Sequence, residues 1–295
     1  MNYYIDTEFL EGTQKEKFPI SLFRKETPNT IDLISIGIVS EDGREYYAVS
    51  KDFNLKEAWN RWQQRTGEGD RNNIEPRLYW IRENVLKPIY RELRLKELNK
   101  IYPYVGNVET YHKDRIYFKE LKRLINKYGK TNKQIAEEVK RFVYSGENVL
   151  YNHPDCKAEN AGDVRSKINF YAYYADYDSV VFRWLFGKMV DLPKGFPKYC
   201  IDLKQELDNR VTNYNETISY WRDCSRNVMP DYDYIDSFFA MGVEQVTVDL
   251  SKYNLDYKLS ILKKYHSQYP KQINEHNALS DARWNKKLHK FLNKL

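Results

Sequence analysis

Tyr3-Tyr4-Ile5-Asp6-Thr7-Glu8-Phe9 runs an apolar approach straight into two carboxylates two residues apart. In an extended strand, residues i and i+2 share a face, so Asp6 and Glu8 are expected to project together from the end of a buried strand. Two enclosed anions side by side repel each other and need a cation or a proton. A hard divalent metal held by oxygen ligands meets that need. An ordinary polar strand end is the alternative reading of the same residues.

Working outward, residues 10–29 read as a loop with strand character near Ile20-Ser21-Leu22-Phe23, either a solvated connection or a flap beside the acidic pair. Ile31-Asp32-Leu33-Ile34-Ser35-Ile36-Gly37-Ile38-Val39 is nearly continuous in apolar residues, as a strand covered on both faces would be. Asp42-Gly43 signals a tight turn, and Glu45-Tyr46-Tyr47-Ala48-Val49 returns as its hairpin partner. Leu55, Ala58, Trp59 and Trp62, then Trp80, Ile81, Val85, Leu86 and Ile89, recur at helical spacing.

No element is assigned to residues 98–128. Thr131 caps an expected helix through Ile135, Val139, Phe142 and Val143 that ends near Gly146. Residues 151–167 read as a loop and 168–175 as a strand. Asp178 is then expected to cap a helix closed by Gly187. Residues 199–203 suggest a short edge strand entering a helix over 204–210. Residues 211–254 carry no clear pattern. Two helices, about 258–265 and 279–295, end the chain.

Strands, helices, strand-helix, strand, helices is an α/β order with a mixed central sheet. The opening hairpin excludes an all-parallel arrangement, and no G-x-G-x-x-G or Walker loop is present. A single domain over 1–295 is expected, with insertions at about 98–130 and 211–256.

Composition narrows the function classes. Cys156, Cys200 and Cys224 have no C-x-x-C spacing, which argues against a disulfide framework or a structural zinc site. The five histidines show no H-E-x-x-H spacing, so a zinc hydrolase is poorly supported. No run of about 18 apolar residues occurs, and the N-terminal residues lack a basic start with an apolar signal region. The expectation is a cytoplasmic protein without a membrane span. A net charge of +6 and 26 tyrosines lean towards a polyanionic partner without requiring one.

The last helix contains a misfit. Trp284, Leu288, Phe291 and Leu295 form its apolar stripe, and counting back three from Trp284 lands on Asp281. A first-turn aspartate suits the helix dipole. One aimed into the protein needs a partner. His276 precedes it by five residues, on the entering loop. Such a histidine is either structural or, beside an activated water, a general base. Asp178, at a strand-helix junction, is a cap or a fourth inward carboxylate, with Asp176 as its competitor.

Asp6, Glu8, Asp178 and Asp281 with His276 resemble, in type and order, the DEDDh 3′-to-5′ exonuclease superfamily of the ribonuclease H-like fold. Asp6-Thr7-Glu8-Phe9, 31–37, 44–48, Tyr177-Asp178 and His276-Asn277-Ala278-Leu279-Ser280-Asp281-Ala282-Arg283 are similar to a short bacterial 3′-5′ exoribonuclease group typified by a mycobacterial enzyme. The resemblance covers about 1–60, 76–97, 131–147, 168–210 and 257–295.

It implies two Mg²⁺ or Mn²⁺ ions, with Asp6 bridging, Glu8 and Asp281 on the ion that carries the attacking water, and Asp178 on the other. It makes His276 the proton acceptor and nucleoside 5′-monophosphates the product. Phe9 and Thr7 are the expected substrate contacts, Phe9 against the terminal base or sugar, or else in the core. RNA, in particular a 3′ overhang of duplex RNA, is the implied substrate, and a homodimer the implied assembly. A DNA exonuclease of the same fold and a catalytically silent nucleic-acid-binding module are the competing readings.

Overall fold

The computed structural model describes residues 1–14, 26–62, 78–101, 115–145, 167–213, 217–221, 245–249 and 252–295. The 20–23 strand and most of the flap expected over 10–29 lie outside these, as do Gly146 and the 151–167 loop up to residue 166. The chain divides into two compact units, Met1–Asp202 with Gln272–Lys286, and Leu203–Lys271 with Lys287–Leu295.

In the first unit, β1 (Asn2–Gly12), β2 (Thr30–Ser40), β3 (Glu45–Val49), β4 (Asn169–Ala172) and β5 (Ile201–Asp202) form one sheet ordered β3-β2-β1-β4-β5. β1 pairs antiparallel with β2 and parallel with β4, and β5 is an edge. Helices flank this mixed sheet, as expected of a ribonuclease H-like α/β fold.

Alternation along β1 and β2 decides what each face carries. Tyr3 and Ile5, with Ile36, Ile38, Phe170 and Ala172, join one buried cluster. Ile135, Val139 and Val143 of α4 (Asn132–Tyr144) and Phe182 of α5 (Ala175–Trp184) belong to the same cluster. Thr131 caps α4 through a capping box with Gln134, as the sequence predicts.

A second cluster joins Leu10, Ile34 and Val49 to Ala58 of α1 (Leu55–Asn60), to Val85 and Leu86 of a π-helical turn (Arg82–Leu86), and to Ile89 and Leu93 of α2 (Lys87–Ile101). Leu121, Leu124 and Ile125 of α3 (Phe118–Tyr128) complete it. The described residues 118–128, within the stretch 98–128 to which the pattern assigns no element, thus supply core.

Two boundaries on either side of Tyr174 differ from expectation. The strand expected over 168–175 stops at Ala172, because Tyr174 turns the chain at a left-handed φ of 57°. α5 then begins at Ala175, whose N–H donates to Asp202 Oδ2 at 3.1 Å. Asp178 is therefore not the cap. It sits inside the first turn.

In the second unit, α6 (Leu203–Thr212) packs with α7 (Leu255–Tyr265), whose Lys258 Nζ donates to Thr212 O at 3.1 Å. β6 (Thr217–Trp221) and β7 (Gln245–Asp249) form an antiparallel pair. α8 (Ala278–Leu292) begins in the first unit and ends in the second. Among the described residues, no helix is long and apolar enough to cross a membrane.

One glycine positions the start of α8. Gly37 stands opposite Asp6 in the β1–β2 ladder. A Cβ there would lie 2.2 Å from the Ala278 carbonyl oxygen and 2.4 Å from the Leu279 nitrogen. The bare backbone lets the first turn of α8 rest on the sheet beside Asp6. Gly37→Ala should therefore push that turn away, costing about 1–3 kcal/mol or more. Denaturant unfolding checks this, and unchanged stability would show that α8 adapts.

Candidate active site

β1 delivers Asp6 and Glu8. The register slips between Glu8 and Phe9, where the β2 partner jumps from Ser35 to Leu33, and such a bulge bends the strand locally. α8 delivers Asp281, buried in its first turn. Ligand oxygens of Asp6, Glu8 and Asp281 all lie within 4.8 Å of one another. The three line a cavity of about 490 Å³ with His276, Trp80 and Arg61.

Asp281 is held at both oxygens. Gln272 Nε2 donates to Oδ1 at 2.7 Å, and the His276 backbone N–H donates to Oδ2 at 2.8 Å. His276 takes a left-handed φ of 65°, a conformation that costs energy without glycine and recurs where geometry is functionally constrained. Its ring meets Trp80 edge-on, with centroids 4.7 Å apart. Asn277 Oδ1 accepts from Ser280 N–H at 3.1 Å and so caps α8.

Asp178 stands apart from the close trio. It is buried, and its Oδ1 accepts from Thr7 N–H at 2.7 Å and from Thr7 Oγ1 at 2.6 Å. It is still close enough for its charge to act on Asp6. Its sequence competitor, Asp176, is exposed. Thr7 is buried with its hydroxyl committed to Asp178. Phe9 stacks nearly parallel on Tyr177, centroids 5.7 Å apart and 9° between planes, and Tyr177 is exposed.

The electrostatics follow from enclosure and like charge. Burial, then Asp178, Glu8 and Asp281, push the Asp6 carboxyl well above the usual range. Burial, then Asp281 and Asp178, do the same to Glu8. Burial raises Asp281 against its bonds from Gln272 and His276. Burial pushes Asp178 up to about 7 despite the two Thr7 bonds. Without a cation, these groups hold protons or repel. An all-oxygen donor set of this kind fits a hard divalent ion.

Thr7→Val should expose how much Asp178 depends on that hydroxyl. Losing a hydrogen bond to a charged group costs about 1.5–3 kcal/mol. The loss should be larger at pH 8, where Asp178 is ionised, than at pH 5. Urea unfolding in chelator checks both values, and equal losses would contradict the assignment.

Sequence reading missed four contributors. Gln272 holds Asp281, and Trp80 flanks His276. The Asn285 Nδ2 donates to Ile5 O at 2.9 Å, tying α8 to the residue before Asp6. Arg61 Nη2 donates to Thr13 O at 2.7 Å and to Glu57 at 3.1 Å, with a further bond to Glu11 O, at the cavity wall. Asn285 follows Asp281 by four, which is the signal that could have found it. The other three are brought in by the fold.

No family model matches the chain. Over 78 residues it is 40% identical to a Mycobacterium tuberculosis H37Rv protein named 3′-5′ exoribonuclease Rv2179c, and equally to the 3′-5′ exoribonuclease MT2234.1 of strain CDC 1551. The match takes in 26% of this chain and spans about 33% of the length of these curated relatives. The similarity is thus to a part of two mycobacterial exoribonucleases.

Proposed function

We propose that the protein is a metal-dependent 3′-to-5′ exoribonuclease of the DEDDh type, acting on RNA 3′ ends including duplex overhangs. One observation carries the reading. Acids from the first strand and the last helix, 273 residues apart between Glu8 and Asp281, converge within 4.8 Å in a cavity that also holds His276. The partial identity to proteins named as exoribonucleases points the same way.

Asp6, Glu8, Asp281 and Asp178 are the residues that would hold Mg²⁺ or Mn²⁺. Such ions supply charge neutralisation at a phosphate and a more acidic water. The rest is the work of the chain. Gln272 and the His276 N–H fix the Asp281 oxygens, and Thr7 fixes Asp178. His276, its ring set by Trp80, accepts the proton of the attacking water at a ring nitrogen. Water oxygen bonds to phosphorus, the P–O3′ bond breaks with its electron pair on O3′, which takes a proton from solvent, and a nucleoside 5′-monophosphate leaves. The Phe9–Tyr177 stack offers a flat surface beside Glu8 to the terminal base or sugar.

A gel time course tests this with 5′-labelled RNA carrying a 3′ overhang and the matching DNA, in Mg²⁺, Mn²⁺ or chelator. The expected result is a metal-dependent ladder shortening from the 3′ end of RNA, absent in Asp281→Ala and His276→Ala. Preferential shortening of DNA would replace the substrate class. No cleavage of either strand would leave a binding module.

A further inference from the structure

α2 and α3 together hold nine Lys and Arg against three Glu, a net +6. That equals the formal net charge of the whole 295-residue chain. The remaining residues therefore sum to zero, and the excess is concentrated on one pair of packed helices.

The charges are grouped on that pair. Lys96 and Lys100 of α2, and Lys127 of α3, place their ammonium groups 5.5, 5.1 and 5.2 Å from the centroid of one ring, Tyr128. Lys96, Lys100, Lys122, Arg123 and Lys127 are all exposed. Beneath them, buried Glu97 is shared by Arg123 at 2.5 Å, Lys127 at 2.9 Å and Arg94 at 3.4 Å. Arg94 also pairs with Glu120 at 2.9 Å. Glu92, four residues before Lys96, also acts on that lysine, and three carboxylates still leave two of these five cations unneutralised. Lysines at i and i+4 also repel each other along α2. An arrangement that costs stability in the free protein is offset when a polyanion lies across it.

We propose that the exposed face of α2 and α3 around Tyr128 docks the phosphate backbone of the nucleic-acid substrate, upstream of the end held at the acidic cavity. This rests on the nuclease reading above. The helical stretch that becomes α2 starts at the cavity wall, where Ile81 and Trp80 line it. At about 1.5 Å per residue, Lys96 and Lys100 lie roughly 22 to 28 Å further along the chain path. At about 3.4 Å per nucleotide of a stacked strand, that is roughly six to eight nucleotides from the reacting end. A trinucleotide bound at the cavity does not reach this surface. A 20-nucleotide strand does.

The test measures binding and turnover separately, on the full chain. Anisotropy of a 5′-labelled 20-nucleotide RNA is followed in chelator, across a salt series, for wild type and for Lys96→Ala combined with Lys100→Ala. The double variant should bind roughly tenfold more weakly at about 0.1 M salt, and its log K against log salt slope should fall by about 0.7 for each phosphate no longer neutralised. Turnover of a trinucleotide should stay unchanged. Lys96→Arg combined with Lys100→Arg should bind like wild type, which separates a charge effect from a folding defect.

Unchanged affinity and slope in the alanine variant would overturn the proposal. So would loss of binding to vesicles containing phosphatidylserine while RNA binding persists, which would make the face a membrane contact. Because binding is read without cleavage, an inactive protein that still binds RNA through this face refutes only the exonuclease reading.

Discussion

Asp281→Asn should lower turnover of a 3′-ended RNA by about a thousandfold or more, a loss of about 4 kcal/mol in transition-state stabilisation. The same change should make the metal-free protein more stable. Both outcomes come from one carboxylate. Asp281 sits within 4.8 Å of Asp6 and Glu8 with its oxygens fixed by Gln272 and His276. An asparagine keeps the shape and can keep both hydrogen bonds if Gln272 turns its amide. It removes the charge that contributes most, after burial, to raising Glu8. Breaking a functional acidic cluster relieves repulsion that a cation or a bound proton otherwise relieves. The gain should be on the order of 1 kcal/mol in chelator at pH 8, read by thermal unfolding, and Mg²⁺ should stabilise the variant less than wild type. An active variant would remove Asp281 from the chemistry. A destabilised apo variant would mean its hydrogen bonds outweigh its charge.

The acidic trio was legible because two different periodicities converge on it. The strand period of two pairs Asp6 with Glu8, and the helical stripe of α8 points back to Asp281. All five strands of the sheet and the capping of α4 were legible for the same kind of reason, since local patterns dictate them, although β4 ends three residues earlier than its pattern suggests. The position of Asp178 was not. It depends on Tyr174 entering the left-handed region and on Asp202, from another strand, accepting the Ala175 N–H. A tyrosine gives no local signal for positive φ. α3 was missed although Leu121, Leu124 and Ile125 have helical spacing, because polar and aromatic sequence on its N-terminal side obscures where the pattern begins. Gln272, Trp80 and Arg61 reach the cavity only through tertiary packing. Gly37 shows the same limit: its place in a β-rich run is visible, but the helix that rests on it is 241 residues away.

Metal-free protein should lose stability as pH rises from about 4 to about 8, the reverse of the behaviour of most carboxylate-bearing proteins. Asp178 carries the clearest sign. Its carboxyl ionises near 3.8 when unperturbed and is pushed up to about 7 in the fold, first by burial. The folded state therefore favours the protonated form more than the unfolded chain does. The contribution is fully present below about pH 4 and is lost as pH passes through about 7. Three pH units of difference correspond to about 4 kcal/mol. Asp6 and Glu8 shift in the same direction. Glu97 opposes them at the acid end, held down to about 2 by Arg123 and Lys127, so its contribution is lost as pH falls through that value. In chelator, the melting temperature should thus peak near pH 4 to 5 and decline towards pH 8. Asp178→Asn should flatten the decline. Mg²⁺ should restore stability most at pH 8, where protons no longer compete for the same oxygens. A chelated wild type whose melting temperature is level or rising from pH 5 to pH 8 would mean the acids are not enclosed together, and the metal reading would lose its electrostatic basis.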